Sequence, residues 1–198
     1  FFFFFFFFFC FFFFLSGGFY ITPRMRLSCS IHSEDGKETT RYNVVNDLSL
    51  HRGEGSQMLR FKIFVDGNFL TLSSGDGLII STPTGSTAYS ASCGGSVVHP
   101  TIQAILLTPI SPRSLSFRPL LLAKDANVEL RMCSDSEAEY SVINFDGDRQ
   151  VVKFKKHDRV KIQMSQYHLL TVNNVDPTSD WVKDINSQLM WNHTWSRK

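Results

Sequence analysis

Close cysteine pairs are missing from this chain. Its four cysteines (Cys10, Cys29, Cys93 and Cys133) are scattered, a spacing that fits neither a zinc site nor a redox pair. Reduced thiols in an intracellular protein are then the default. The six histidines form no His-x3-His pattern, so no metal site follows from side-chain spacing. Charge of one sign is also scarce. A formal net charge of +2 gives no case for a nucleic-acid partner or a membrane surface. There is no P-loop and no Gly-x-Gly-x-x-Gly fingerprint. A hydrolase triad is only arithmetically available, because Gly85-Ser86 is followed by Thr87-Ala88 and no Gly-x-Ser-x-Gly elbow exists.

The long apolar run of residues 1–14 is Phe throughout except for Cys10. It falls short of the roughly 20 apolar residues that span a bilayer. Neither a basic segment nor an initiating Met precedes it, as a signal peptide would require. Phe1 to Leu15 looks instead like a translated pyrimidine tract, such as an intron end. Residues 1–18 are therefore set apart as a low-complexity artefact. The remaining chain, with 43% hydrophobic and 19% charged residues overall, can build an ordinary globular core.

Strand signals dominate from about Arg24 onward. Met25, Leu27, Cys29 and Ile31 alternate on one face of a half-buried strand. His32–Lys37 is a polar turn around Asp35-Gly36, and Thr39–Leu50 is strand-rich. Asp66-Gly67-Asn68 between Arg60–Val65 and Phe69–Leu72 signals a hairpin. Gln103–Thr108 reads as a fully buried strand and Pro109–Pro119 as an irregular connection. Short strands follow at Leu120–Leu122, Asn127–Met132, Tyr140–Phe145, Val151–Phe154 and Arg159–Met164, with a hairpin tip at Asp146-Gly147-Asp148. This pattern predicts a β-sandwich or curled sheet. Asp176-Pro177-Thr178-Ser179-Asp180 starts a helix that carries Trp181, Ile185 and Leu189 on one stripe and ends near Trp191-Asn192. That stripe is expected to dock on the protein's own core rather than to bind a ligand.

The stretch of greatest chemical interest is Gly75-Asp-Gly-Leu-Ile-Ile-Ser-Thr-Pro-Thr-Gly-Ser-Thr-Ala-Tyr-Ser90. It reads as a turn, a strand stopped by Pro83, and a helix entry at Thr84-Gly85-Ser86. A helix N-terminus there would suit phosphates or the edge of a polar ring, with Asp76 accepting a sugar hydroxyl. A capped helix with no ligand is the competing reading.

The whole run resembles the signature of the NAD kinases, which use ATP to phosphorylate the 2′-hydroxyl of the adenosine ribose of NAD. Tyr42–Gly53 (Tyr-Asn-Val-Val-Asn-Asp-Leu-Ser-Leu-His-Arg-Gly), Thr108–Pro119 and Asn144-Phe-Asp-Gly147 are similar to further family motifs. Asp47 in place of the commoner Glu, with His51 following, looks most like the branch that includes fungal mitochondrial NADH kinases.

The resemblance implies an α+β, mainly β fold. A C-terminal β-sandwich lobe with one C-terminal helix would join an incomplete N-terminal α/β lobe. Residues 19–45 would be a remnant joining that lobe, 46–170 the dinucleotide-binding lobe, and 171–198 the helix returning to the N-terminal lobe. It implies substrate contacts at Asn46, Asp47, Asp76, Thr84, Thr87, Ala88, Tyr89 and Ser92, with Asp148 a further contact or simply a hairpin residue. Arg118 is expected to serve its loop structurally. Arg113 is left open between phosphate binding and structure. ATP with Mg²⁺, NAD or NADH as substrate, a homo-oligomer and a cytoplasmic or mitochondrial-matrix location are also implied. The family's general base is the Asp of a Gly-Gly-Asp-Gly loop, which this sequence does not contain. The chain as it stands is thus expected to be truncated and inactive. A non-catalytic dinucleotide-binding remnant and a lipid kinase of the same architecture are the alternatives.

Overall fold

The computed structural model describes residues 19–53, 55, 57–148, 151–173 and 176–192. The Phe run lies outside the described residues. The chain divides into two compact units, one of residues 24–169 and one formed by the segments on either side.

The 24–169 unit is an eleven-stranded antiparallel sheet. Its strands are β2 (Leu27–His32), β3 (Glu38–Val44), β4 (Asp47–His51), β5 (Leu59–Val65), β6 (Asn68–Ser81), β7 (Ala104–Pro112), β8 (Leu120–Ala123), β9 (Val128–Met132), β10 (Tyr140–Phe145), β11 (Val152–Lys155) and β12 (Arg159–Met164). They run in the order β11-β10-β4-β6-β5-β9-β12-β2-β3, with β7 beside β6 and β8 beside β7. The sheet curls around a shared core that takes Leu27, Cys29 and Ile31 from β2, Leu48 and Leu50 from β4, and Phe61 and Ile63 from β5. Leu130, Ile143, Phe154 and Ile162 fill it from later strands. Each such side chain contributes about 1.5–3 kcal/mol by leaving water. Residues 24–45, assigned by resemblance to a joining segment, thus give β2 and β3 to this sheet, where β2 pairs with β12.

Local chemistry explains the turns. Asp66 and Gly67 both adopt positive φ (51° and 77°) between β5 and β6, which suits the right-handed twist of a two-residue hairpin. Three expectations are corrected. Gly75-Asp76-Gly77 is not a turn but the interior of the 14-residue β6. Its glycines answer a demand for space: a Cβ on Gly77 would lie 2.0 Å from the Leu50 carbonyl oxygen, and one on Gly75 2.8 Å from that of Ser111. Pro109 does not end the buried strand either. β7 continues opposite β6 to Pro112, while β8 pairs only with Ala104–Leu107, so Pro109 and Pro112 lie where β7 is an edge on that side. The third concerns the C-terminal helix.

In the second unit β1 (Tyr20–Arg24) pairs with β13 (Leu169–Asn173). Its helix α2 (Pro177–Ser187) starts as its sequence predicts, with the Asp176 carboxylate accepting the Ser179 N–H at 2.9 Å and Pro177 in the first turn. It ends earlier than expected, however, at Ser187, with Trp181 and Ile185 half-buried and Leu189 exposed.

Candidate dinucleotide cleft

The site begins with two residues that no strand holds. Between β3 and β4 the chain bends at Val45-Asn46, and this bend is fixed from two sides. From one side, the end of β6 meets it. The Thr82 N–H donates to the Asn46 carbonyl at 2.9 Å, and the Thr82 hydroxyl donates to the Val45 carbonyl. The same hydroxyl oxygen accepts the Gly85 N–H at 3.1 Å. Gly85 then packs against Asn46, where a Cβ would come within 2.1 Å of the Asn46 carbonyl oxygen. From the other side, the Asp146 carboxylate accepts the N–H groups of Val45, Asn46 and Asp47 at 2.8, 2.7 and 3.1 Å. The Asp146 N–H returns a bond to the Asp47 carbonyl at 2.9 Å.

This arrangement revises the expectation of a phosphate-binding helix entry. Thr84–Thr87 is a single 3-10 turn, followed by the four-residue helix α1 (Tyr89–Ser92). Such short pieces have little macrodipole. Their side chains also bond inward, for the Ser86 hydroxyl donates to the Pro83 carbonyl and accepts the Val98 N–H. The Thr-Pro-Thr-Gly run therefore shapes the bend at Asn46, and small residues appear because backbones touch there.

The bend forms one wall of a cleft of about 570 Å³, a size suited to a small molecule. Of the residues singled out from sequence, Asn46, Asp47, Asp76, Ala88 and Tyr89 line it together. Thr84, Thr87, Ser92 and Asp148 are not among its lining residues. Thr87 and Ser92 are exposed, and Asp148 is exposed at the hairpin tip with its N–H on the Phe145 carbonyl. Sequence reasoning passed over Ser49, His51, Arg52, Asn144 and Asp146, which also line the cleft. Two of these were legible in principle. Ser49 and His51 alternate with Asp47 along β4, so they share its face.

Electrostatics follow from this packing. Asp47 is only 6% exposed, and its carboxyl is pushed up to about 6, first by lost hydration and then by the nearby Asp146 carboxylate. Asp76, one-third exposed, faces the Arg52 guanidinium at 3.5 Å. Tyr89 sits where burial, and then the fields of Cys93, Asp47 and Asp76, raise its phenol above the usual range. His51 accepts the Gly53 N–H on Nδ1 at 3.1 Å, which leaves Nε2–H as a donor in the neutral ring. The Asn144 Oδ1 is buried without a partner among the described residues, so an acceptor stands ready in the wall. Carboxylates for hydroxyl groups, an aromatic ring for a flat group and one Arg for an anion make a binding surface for a sugar-bearing, ring-bearing molecule.

A second groove, of about 710 Å³, holds Arg113 and Arg118. Both are exposed, and neither guanidinium has a bonding partner among the described residues, so the expected bonding of Arg118 to its own loop is not seen.

Comparison with known proteins agrees with the geometry. Residues 45–174 match the model of the ATP-NAD kinase C-terminal domain. The chain is 40% identical over 182 residues to the chloroplastic NAD kinase 2 of Arabidopsis thaliana, covering 91% of this chain and 18% of that protein. It is 39% identical over 180 residues to the mitochondrial NADH kinase of Schizosaccharomyces pombe, covering 90% of this chain and 46% of that protein. A crystal structure of yeast NADH kinase complexed with NADH superimposes with a TM-score of 0.87 at 32% identity, covering 96% of this chain and 56% of that one. The chain thus spans less than half the length of these two curated relatives. With its bend, its cleft and its curled sheet all placed within the matched segment or beside it, the chain belongs to the NAD kinase family, whose C-terminal domain it carries.

Proposed function

We propose that the protein transfers the γ-phosphoryl group of ATP to the 2′-hydroxyl of the adenosine ribose of NAD or NADH, giving NADP(H), and that this chain supplies the dinucleotide-binding surface. The convergence of Asn46, Asp47, Asp76, Ala88 and Tyr89 in one cleft carries the reading. The relatives named NAD kinase and NADH kinase support it, as does the NADH in the yeast structure.

In this reading Asp47 and Asp76 accept hydroxyl or amide hydrogens of the dinucleotide, and Asn46 adds its amide. Ala88 and Tyr89 take a flat ring. Thr84, Thr87 and Ser92 extend that contact beside the 3-10 turn, and Asp148 reaches the ligand from its hairpin. Phosphoryl transfer depends mainly on positioning and on neutralising charge. The chain's share in this reading is positioning. Mg²⁺ would supply charge neutralisation on the phosphates. In this reading the cation arrives bound to the ATP phosphates. A homo-oligomer acting in the cytoplasm or mitochondrial matrix completes the proposal, the second location supported by the mitochondrial relatives.

The test is incubation of the full-length protein with ATP, Mg²⁺ and either NAD or NADH. A 2′-phosphorylated product, read with an NADP-specific dehydrogenase, is expected. Phosphate on a lipid and none on either dinucleotide would overturn the reading.

A further inference from the structure

The hairpin tip after β10 carries a carboxylate that the proposed chemistry does not use directly. Asp146 is the first residue of the turn, at φ 50°, followed by Gly147 at φ 68°. Its side chain takes three successive backbone N–H groups, those of Val45, Asn46 and Asp47. Successive N–H groups pointing at one place make a concave anion site, and here the protein's own carboxylate fills it. Charge-assisted bonds of this kind are about twice as strong as neutral ones. The bend is also where two polar residues enter the cleft, one of them nearly buried.

We propose that Asp146 is a positioning residue for dinucleotide binding: its carboxylate sets the backbone at residues 45–47 and thereby aims Asn46 and Asp47 into the cleft. The proposal rests on the dinucleotide-kinase reading above. Asp146 is exposed and belongs to no part of the apolar core, so its loss leaves the sheet standing while the bend relaxes. In Asp146→Asn one oxygen becomes an NH₂ group, which cannot accept from a backbone N–H, so at least one of the three bonds is lost and the others lose their charge assistance. The groups that then face Asp47 are Asp76 and Arg52, His51 on its own strand, and Tyr89 of α1. Removing the Asp146 charge leaves Asp47 easier to ionise among them.

A matched control exists in the same sheet. Asp66 has the same turn geometry, φ 51° followed by Gly67 at φ 77°, and its carboxylate accepts the Asn127 N–H at 2.9 Å. It lies outside the cleft.

The experiment compares Asp146→Asn, Asp146→Glu and Asp66→Asn in the full-length protein by steady-state kinetics with NAD and NADH from about pH 5 to 8, and by melting temperature. Asp146→Asn is expected to raise the dinucleotide KM about 10- to 100-fold, with a smaller fall in kcat. The low-pH limb of its kcat/KM profile should move to lower pH. Asp146→Glu keeps the charge but not the reach, so it should keep the pH limb and still raise KM. Asp66→Asn should lower the melting temperature at least as much as Asp146→Asn and leave KM unchanged. An Asp146→Asn enzyme with unchanged KM, or a KM rise matched by Asp66→Asn, would overturn the positioning role. Wild-type protein inactive on both dinucleotides would instead sink the functional reading and the proposal with it.

Discussion

Asp47→Asn should make the protein more stable and worse at its task. The Asp47 carboxyl is 6% exposed, beside Asp146, and titrates near 6 in the folded chain against an ordinary value of 3.8. Because the folded pKa is raised, the folded state holds the proton more tightly than the unfolded one. The stability tied to this group is therefore complete below about pH 4 and is lost as pH rises through about 6. The full separation corresponds to about 3 kcal/mol, and access of water to the cleft brings this to about 2 kcal/mol. Asparagine fills the same space with no charge to desolvate. Thermal unfolding of wild type and variant, followed at several pH values, should show the two together near pH 4. Above about pH 7 the variant should melt about 4–8 °C higher. Its dinucleotide kcat/KM should fall at the same pH, because the amide is uncharged and one of its two polar atoms donates where the carboxylate accepts. A variant less stable than wild type at neutral pH, or a gap that does not open between pH 4 and 6, would refute the burial argument.

Gly85→Ala places a Cβ 2.1 Å from the Asn46 carbonyl oxygen and 2.5 Å from its carbon, both backbone atoms, so the bend must move. A loss of about 1–3 kcal/mol in denaturant unfolding is expected, together with a raised dinucleotide KM. Asp76→Asn weakens one charge-assisted contact worth roughly 1.5–3 kcal/mol, so kcat/KM for the dinucleotide should drop about 10- to 100-fold with the melting temperature kept. An unchanged kcat/KM would remove Asp76 from the binding surface. Cys29 is fully buried in the core and its thiol is pushed far above the ordinary range by burial, so it should react with a thiol reagent only on unfolding. Mass spectrometry of the labelled native protein checks this.

Much of the sheet was legible because most strands have one buried face and a two-residue period. β10 and β12 have the limits read from the sequence, and Asp66-Gly67 makes the expected hairpin. Misreadings arose where a glycine or proline answers a neighbour distant in sequence. Gly75 and Gly77 look like a flexible turn in one dimension. They make room in three, since β4 and β7 press their backbones onto β6. Pro109 looks like a stop, yet an edge that needs no donor accepts it.

The same distinction bears on the cleft. Asn46 and Asp47 stood out because Tyr42–Gly53 is similar to a family motif. Their partners proved to be backbone and a distant carboxylate rather than a helix end. Local pattern could mark the Thr-Pro-Thr-Gly run as special but not say for what, because its Thr82 and Gly85 act on a segment nearly forty residues earlier, as the Thr82–Val45 bond shows. A motif that resembles a phosphate loop in composition thus serves here to hold two cleft-lining residues in place. The physical reason is that small residues permit close approach to any polar backbone, a ligand's phosphate or the chain's own bend alike. If that is right, variants of Thr82 and Gly85 should affect the dinucleotide through Asn46 and Asp47, and their effects should be non-additive with those of Asp146. Thr82→Val removes the hydroxyl that bridges the Val45 carbonyl and the Gly85 N–H while keeping the β-branched shape. Combined with Asp146→Asn it should raise KM by less than the product of the two single effects, since both release the same bend. Two fully multiplicative losses would show that the β6 end and the Asp146 hairpin act on separate parts of the site.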